Sequence, residues 1–420
     1  MNVRKKVIYV LIITCVIIVG IVPHNIVYAD KQTNEENVFA EYKVNLEGSE
    51  LLNNEKVEDS ELLKDQKMEE QLNSLYGYIN NMKSDVELMN DLDPVEYFKS
   101  YLKNGQGNLS FRNIGRAVIS FLFKEVRTVL SLSLSIIIIA ILCSLIKNLQ
   151  SAFSSESISN IAFYACYCML IVILSKSFLI SLSIATDVIN KISDFMSALL
   201  PILVIMLGSA GGFTQAATMD PIILGATLII PRIYLNFIIP LILMSFVLQF
   251  ANNMSSEHKI NNLCKLLKQI TLWLQGIILT VFIGLLTIRG ITSSTIDAVT
   301  LKTAKFAIDN FIPIVGKSLS DAITSVAAYS LLIKNAVSSI GLIVIILLML
   351  YPVLKLILMA FVYKLSAALI EPISDKRITS SIAAAGDSLI LIMSCVLSVS
   401  LIFFILLAIM ASAGKFVIGG

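Results

Sequence analysis

Cys166 and Cys168 are spaced like a thiolate pair, the nearest approach to reactive chemistry in a 420-residue sequence with six cysteines and two histidines. They lie in an apolar run without polar companions, where cysteine acts as a small packing residue. His24 stands near the N-terminus and His258 in a loop. There is no Walker-type phosphate loop, no metal-ligand spacing and no nucleophile beside a base, so no enzyme, cofactor or metal site is expected. Gly208-Ser209-Ala210-Gly211-Gly212 is too weak a pattern to bind phosphate, and the serines of "SLSLS" (131–135) can bond helix carbonyls. Charges inside apolar sequence carry more information, because burying one in a bilayer costs at least ~2.5 kcal/mol on insertion scales. Asp220 and Arg232 flank an apolar stretch, and Asp187, Lys191 and Asp194 precede an interrupted one. Two readings stand: these charges snorkel or pair, or Asp220 and Arg232, with Pro201, Gly208, Gly211 and Gly212, line a polar passage or a protein interface. Lys355 and Lys364 read as cytoplasmic anchors.

The elements that must hold these residues are membrane helices. The chain is 56% hydrophobic and 15% charged, with a mean hydropathy of +0.82, whereas soluble domains carry about 25% charged residues. Uncharged apolar runs at Thr128 to Ile146, Ser157 to Ser175, Ile233 to Ser256, Gln269 to Ile288, Asn335 to Leu354 and Ser388 to Gly414 each suit a hydrocarbon core of about 30 Å. The fold class expected is an all-α polytopic membrane protein. Its solvent is the lipid bilayer, and nothing points to nucleic acid. The stretch from Phe195 to Met219, interrupted by Pro201, Gly208, Gly211 and Gly212 and followed by Pro221, reads as broken. It either re-enters the membrane or forms a hairpin with Ile222 to Pro231, giving six to eight crossings. Its counterpart "IDAVTLKTAKFAIDNFIPIVGKSLSDAITSVAAYSLLIKN" (296–335) is more charged and reads as external amphipathic helices.

Ahead of the membrane domain (128–420) stand three other regions. Residues 1–29 have Arg4, Lys5 and Lys6, an apolar run, and Val27-Tyr28-Ala29 with small residues at −3 and −1, the order of a signal peptide. An uncleaved anchor is the alternative; on both readings the chain from Asp30 leaves the cytoplasm. Asp30 to Arg127 holds 19 acidic and 12 basic residues, against 11 and 17 in Thr128 to Gly420. No cysteine lies in the acidic region, so it has no disulfide framework. Residues 30–109 read as a disordered start followed by small helices, the first striped by Met68, Leu72, Leu75, Ile79 and Met82 and the second opened by Asp93 and Pro94. Residues 110–127 read as an amphipathic juxtamembrane helix, lying on the membrane or packed on its neighbours.

"LILMSFV" at Leu241 to Val247 and "LILMAFV" at Leu356 to Val362 agree in six of seven residues. Further on, "EHKI" (257–260) meets "DKRI" (375–378), and Leu279-Thr280-Val281 meets Leu397-Ser398-Val399; upstream, Asp194, Pro201 and Gly208 meet Asp309, Pro313 and Gly316. Four ordered matches point to a duplication of 187–290 as 302–410. Lys and Arg favour cytoplasmic loops, which puts Lys259, Lys265, Lys268, Lys376 and Arg377 inside and makes this a parallel repeat, as in some transporters.

"GGFTQAATMDP" (211–221), "FIPIVGKSLSDA" (311–322) and "LILMAFVYKLSAALIEPISDKRI" (356–378), in this order behind a leader and an acidic exported segment, resemble the stage III sporulation protein AE family. The resemblance implies a membrane subunit of the channel, or feeding apparatus, between mother cell and forespore, in the mother-cell membrane. Implied partners are the other stage III sporulation A-operon membrane proteins and the forespore protein SpoIIQ. A conducting or permease-like subunit, a non-conducting scaffold for ring-forming partners and a stand-alone secondary transporter all remain open. The topology makes a prediction: single cysteines introduced at positions 261 and 374 are shielded from an impermeant thiol reagent in intact cells, while one at 310 is labelled. Labelling of 261 from outside would invert the orientation.

Overall fold

A computed structural model describes Gly77, Ile79 and residues 111–152, 156–254, 260–311 and 316–413. The leader and nearly all of 30–109 lie outside these residues; of the expected apolar stripe, only Ile79 is described, helical and buried. Six helices follow: α1 (Phe111–Ala152), α2 (Glu156–Ser209), α3 (Phe213–Met254), α4 (Asn261–Phe311), α5 (Gly316–Ile370) and α6 (Lys376–Ser412). All six are long and apolar enough to cross a membrane, and no strand occurs among the described residues. Residues 111–127 run without a break into the first span as one helix. α6 packs on α2, α3, α4 and α5. Helices approach closely where side chains are small: a Cβ added at Gly341 of α5 would stand 2.5 Å from Leu199 of α2 and 2.9 Å from Leu407 of α6.

The interrupted stretch is a reversal, not a re-entrant loop or an extra hairpin. α2 continues through Pro201, whose ring faces outward, to Ser209. Gly211 then takes a left-handed φ of 90°, Gly211 N–H donates to Gly208 O and Gly212 N–H to Leu207 O, each at 3.0 Å. This is the Schellman termination that glycine serves best. A side chain at Gly212 would be tight, since a Cβ would meet Leu207 Cδ1 at 2.9 Å and its own turn's carbonyl, Leu207 O, at 3.1 Å, so that Leu207 would have to shift. Ile222 to Pro231, the other half of the expected hairpin, simply continues α3.

α3 is helical throughout but contains two π-helical turns, Gly225–Ile229 and Tyr234–Ile238. Proline explains part of this. Pro231 lacks an N–H, so Thr227 O, four residues earlier, loses its α-helical donor; Ser193 Oγ of α2 donates to it at 2.9 Å.

α1 gives one measure of membrane thickness, the 19 uncharged residues Thr128 to Ile146, which rise about 28 Å; α4 gives another, the 20 uncharged residues Gln269 to Ile288 between Lys268 and Arg289. Side chains tie α1 to α5. At one end Glu125 pairs with Lys355 at 3.2 Å, midway Ser133 bonds Ser366 at 2.5 Å, and at the other end Ser144 donates to Ile373 O. Lys364 lies nine residues from Lys355, about 14 Å along α5. Beyond Lys355, α5 runs 39 residues further to Gly316, an overhang past Glu125 of about 58 Å. Asn335 to Leu354, the expected fifth span, lies on this part of α5, beyond the level of α1's apolar run. Protein covers it there, with Val337, Val344, Ile345, Leu199, Leu203, Phe403 and Leu407 all buried. The stretch expected as separate external helices extends α4 and α5 instead.

The segments matched as a repeat occupy corresponding places in chain order, Leu241–Val247 on α3 and Leu356–Val362 on α5, with Leu279–Val281 on α4 and Leu397–Val399 on α6. Their packing differs: Phe246 is 3% exposed and its match Phe361 61%, while Met244 is 55% exposed and Met359 2%. The seven-residue match thus marks corresponding order without corresponding faces.

The reversal sorts its glycines. Gly211→Ala should destabilise by roughly 1–2 kcal/mol through left-handed strain, and Gly212→Ala should also destabilise. Gly208→Ala, whose Cβ would have only Ala216 at 4.0 Å, should be neutral or stabilising. Melting temperatures of the three variants in detergent check this ordering.

Candidate functional site: a polar column along α6

Residues expected to form one site are not brought together. Asp220 and Arg232 lie on the same continuous helix, α3, twelve residues and about 18 Å apart along its axis. That separation excludes the direct pairing that would have matched Asp220. Arg232 is exposed. Asp187 and Lys191 form a surface pair one turn apart at 3.1 Å, a type worth little in stability.

What closes the glycine reversal is a residue the sequence did not single out. The N-cap of α3, Gly212, offers no side chain. Asp297 of α4, 1% exposed, supplies one: its two oxygens accept Thr214 N–H and Gln215 N–H, both at 2.8 Å. A carboxylate against a helix N-terminus satisfies orphan donors and the helix dipole together. At the end of α6 the complement occurs. Lys334 of α5 is fully buried and donates to Ala411 O at 3.3 Å and to Ala413 O.

Between the two levels fixed by α1, α6 carries polar groups in tiers. Near its start, Arg377 stacks over the Phe163 ring at 4.4 Å. Ser381, fully buried, meets Tyr167 Oη at 2.7 Å and accepts from Asn253 Nδ2 at 3.1 Å. Next, Asp387 holds two cations: Lys364 of α5 at 2.8 Å and Lys268 of α4 at 3.3 Å. Above it, Gln275 of α4 accepts from Ser394 at 2.9 Å and Ser398 at 3.4 Å, and donates to Cys395 Sγ at 3.2 Å. Tyr234, which opens the second π turn of α3, is fully buried with its hydroxyl facing Ser398. From Arg377 to Ser398 is 21 residues, about 32 Å, or one hydrocarbon thickness.

Lys355, read as a cytoplasmic anchor, pairs instead with Glu125, which the same reading puts on the exported side of α1. Lys364, read the same way, belongs to a triad with Asp387 and Lys268. Ionisable groups inside a membrane helix bundle are costly and mark functional sites. Asp387 could have been noticed as the only charge in α6 beyond its first turn. Its lysine partners, 119 and 23 residues away, have no local signal.

A comparison with known families matches residues 92–414 to the one described as Stage III sporulation protein AE. The chain belongs to this family. It is also similar to Stage III sporulation protein AE of Bacillus subtilis (strain 168), 33% identical over 312 residues, covering 74% of this chain and 78% of that protein. No solved structure matches. Membership of the stage III sporulation protein AE family and six apolar helices make the chain a multi-pass membrane component of sporulation.

The triad has one cation in excess, and this predicts an asymmetry. Lys364→Gln leaves a neutral Lys268–Asp387 pair and should keep or raise the melting temperature in lipid or detergent. Asp387→Asn leaves two ammoniums facing one amide and should lower it. Equal effects of the two substitutions would show that the triad does not act as one charge cluster.

Proposed function

We propose that this protein is a conducting, permease-like membrane subunit of the channel complex between mother cell and forespore, needed for late forespore development. The single observation that carries the reading is the polar column along α6, whose tiers extend over one membrane thickness. Hydrocarbon gives no reason to keep Ser381, Asp387, Gln275, Ser394 and Ser398 in buried or half-buried positions. Interhelical hydrogen bonds in membranes average only ~0.6 kcal/mol, so stability alone is a weak reason for them.

The overhang supports the assembly part of the proposal. If Lys376 and Arg377 mark the cytoplasmic side, the overhang stands on the exported side, where the space between the two membranes would be. It exposes Phe213, Val299, Phe306 and Tyr329, apolar surface that suits protein partners. The other stage III sporulation A-operon membrane proteins and SpoIIQ are the partners proposed. Asp220 and Arg232, on α3, are then proposed as charges at such an interface and not as a passage. The overhang also favours a second reading, a non-conducting scaffold that only presents this surface.

A strain carrying Lys364→Gln separates the two. Under the conducting reading the protein inserts at normal abundance and co-purifies with its partners from sporulating cells, while late forespore gene expression falls severalfold. Normal expression in that strain would favour the scaffold. Loss of co-purification after Phe306→Asp, with insertion intact, would locate the partner surface.

A further inference from the structure

We infer that the α6 column carries protons, with the Lys268–Asp387–Lys364 triad as its central station. This rests on the conducting reading and adds the species that moves. The argument starts from charge. Two ammoniums face one carboxylate, Lys364 bonding Oδ1 and Lys268 bonding Oδ2, so the cluster holds one proton more than Asp387 neutralises. No other ion pair between helices among the described residues has this surplus: Lys355 and Glu125 balance one to one. The surplus proton is the one available for transfer, and the carboxylate can hold either lysine while the other gives it up.

Geometry supplies the stations on both sides. Towards the start of α6 stand the Ser381 and Tyr167 hydroxyls, six residues from Asp387; towards its end stand Ser394 and Ser398 with Gln275, seven and eleven residues away. These lie about 9, 10 and 16 Å along the axis; with links of about 2.8 Å, two to three waters in series join the triad to Ser381 or to Ser394, and Gln275 Oε1 joins Ser394 to Ser398. Hydroxyl pairs add donors and acceptors: Tyr363 Oη faces Ser177 Oγ, and Tyr234 Oη faces Ser398 Oγ. Asn252 Oδ1, beside Asn253 and so near Ser381, is buried without a protein hydrogen bond. Buried polar atoms of this kind are satisfied by ordered water.

The column is otherwise tightly packed. Ser381 and Ser388 are fully buried and Gln275 is 4% exposed, so hydrated ions and metabolites find no room in this conformation, whereas a proton needs only a chain of donors and acceptors. The step balances without a co-reactant: a lysine –NH3+ passes its proton to water on one side, leaving –NH2 beside the remaining Lys–Asp pair. The –NH2 then takes a proton from a hydronium on the other side. No bond other than N–H and O–H changes.

The test uses the purified full-length protein in liposomes of bacterial phospholipid, with a pH-sensitive dye trapped inside, an imposed pH gradient, and the membrane potential clamped by potassium and valinomycin. Wild-type protein should dissipate the gradient at least severalfold faster than protein-free liposomes. Lys364→Gln and Lys268→Gln, each leaving a neutral pair that keeps the fold, should return the rate to the protein-free level. Lys302→Gln, on an exposed turn of α4, should match wild type. A wild-type rate no faster than protein-free liposomes, or undiminished rates in both lysine variants, overturns the inference. So does a rate that follows imposed chloride instead of pH. If forespore expression falls in Lys364→Gln while proton flux is unchanged, the proton inference fails and the channel reading stands.

Discussion

Inside a closely packed helix bundle a helix end, a freed carbonyl or a charge must find its partner in the protein, and the structure meets that demand with side chains lent from one helix to another. Asp297 of α4 caps the start of α3 after the glycine turn. Lys334 of α5 closes the end of α6. Ser193 of α2 fills the carbonyl that Pro231 leaves open in α3. Each loan ties two helices at a fixed level, so satisfying the backbone also sets the register of the bundle. The polar tiers on α6 obey the same rule, and the tier at Asp387 departs from it by holding a second cation.

Register is what separates this fold from a simple row of spans. α2, α4 and α5 have 54, 51 and 55 residues, more than twice what a core of about 30 Å requires. Matching α5 to α1 through Glu125, Ser133 and Ser144 leaves a tall apolar bundle beyond the level of α1's apolar run. There, Leu199, Val344, Phe403 and Leu407 are buried by protein and not by lipid. The close approach at Gly341 makes this three-helix packing possible. One chain thus has a membrane-depth half with polar tiers and an overhanging half with an apolar core and exposed aromatic residues.

Much of this was legible in the sequence. Helical character, the membrane class and the family resemblance follow from hydropathy and residue order, and the glycine-rich break was correctly seen as irregular backbone. Its nature was not legible, because a Schellman turn and a re-entrant loop share the same residues and differ only in which donor closes them. That donor, Asp297, lies 82 residues beyond Gln215. Hydropathy alone also could not set the level of Asn335 to Leu354 against α1, since a run buried by protein and a run buried by lipid look alike. Asp387 escaped notice because a lone acid after "SSIAAAG" carries no motif, and Lys268 and Lys364 read as ordinary loop-side cations. Pairing across 119 residues is a property of packing. Asp220 and Arg232 show the reverse case, neighbours in a pattern that one straight helix holds apart.

The central claim is that the face of α6 bearing Ser394 and Ser398 is hydrated through the depth of the membrane. The most direct measurement is radical footprinting along α6 in the full-length protein in native membranes, after replacement of the six native cysteines, because an X-ray pulse makes hydroxyl radicals from water already bound inside. Single cysteines would be placed at 381, 394 and 398, and at 389, 392 and 402 as buried apolar controls. The account predicts that these radicals modify the first three at least tenfold faster than the last three. Equal, slow modification at all six positions would show α6 to be dry throughout and would contradict it.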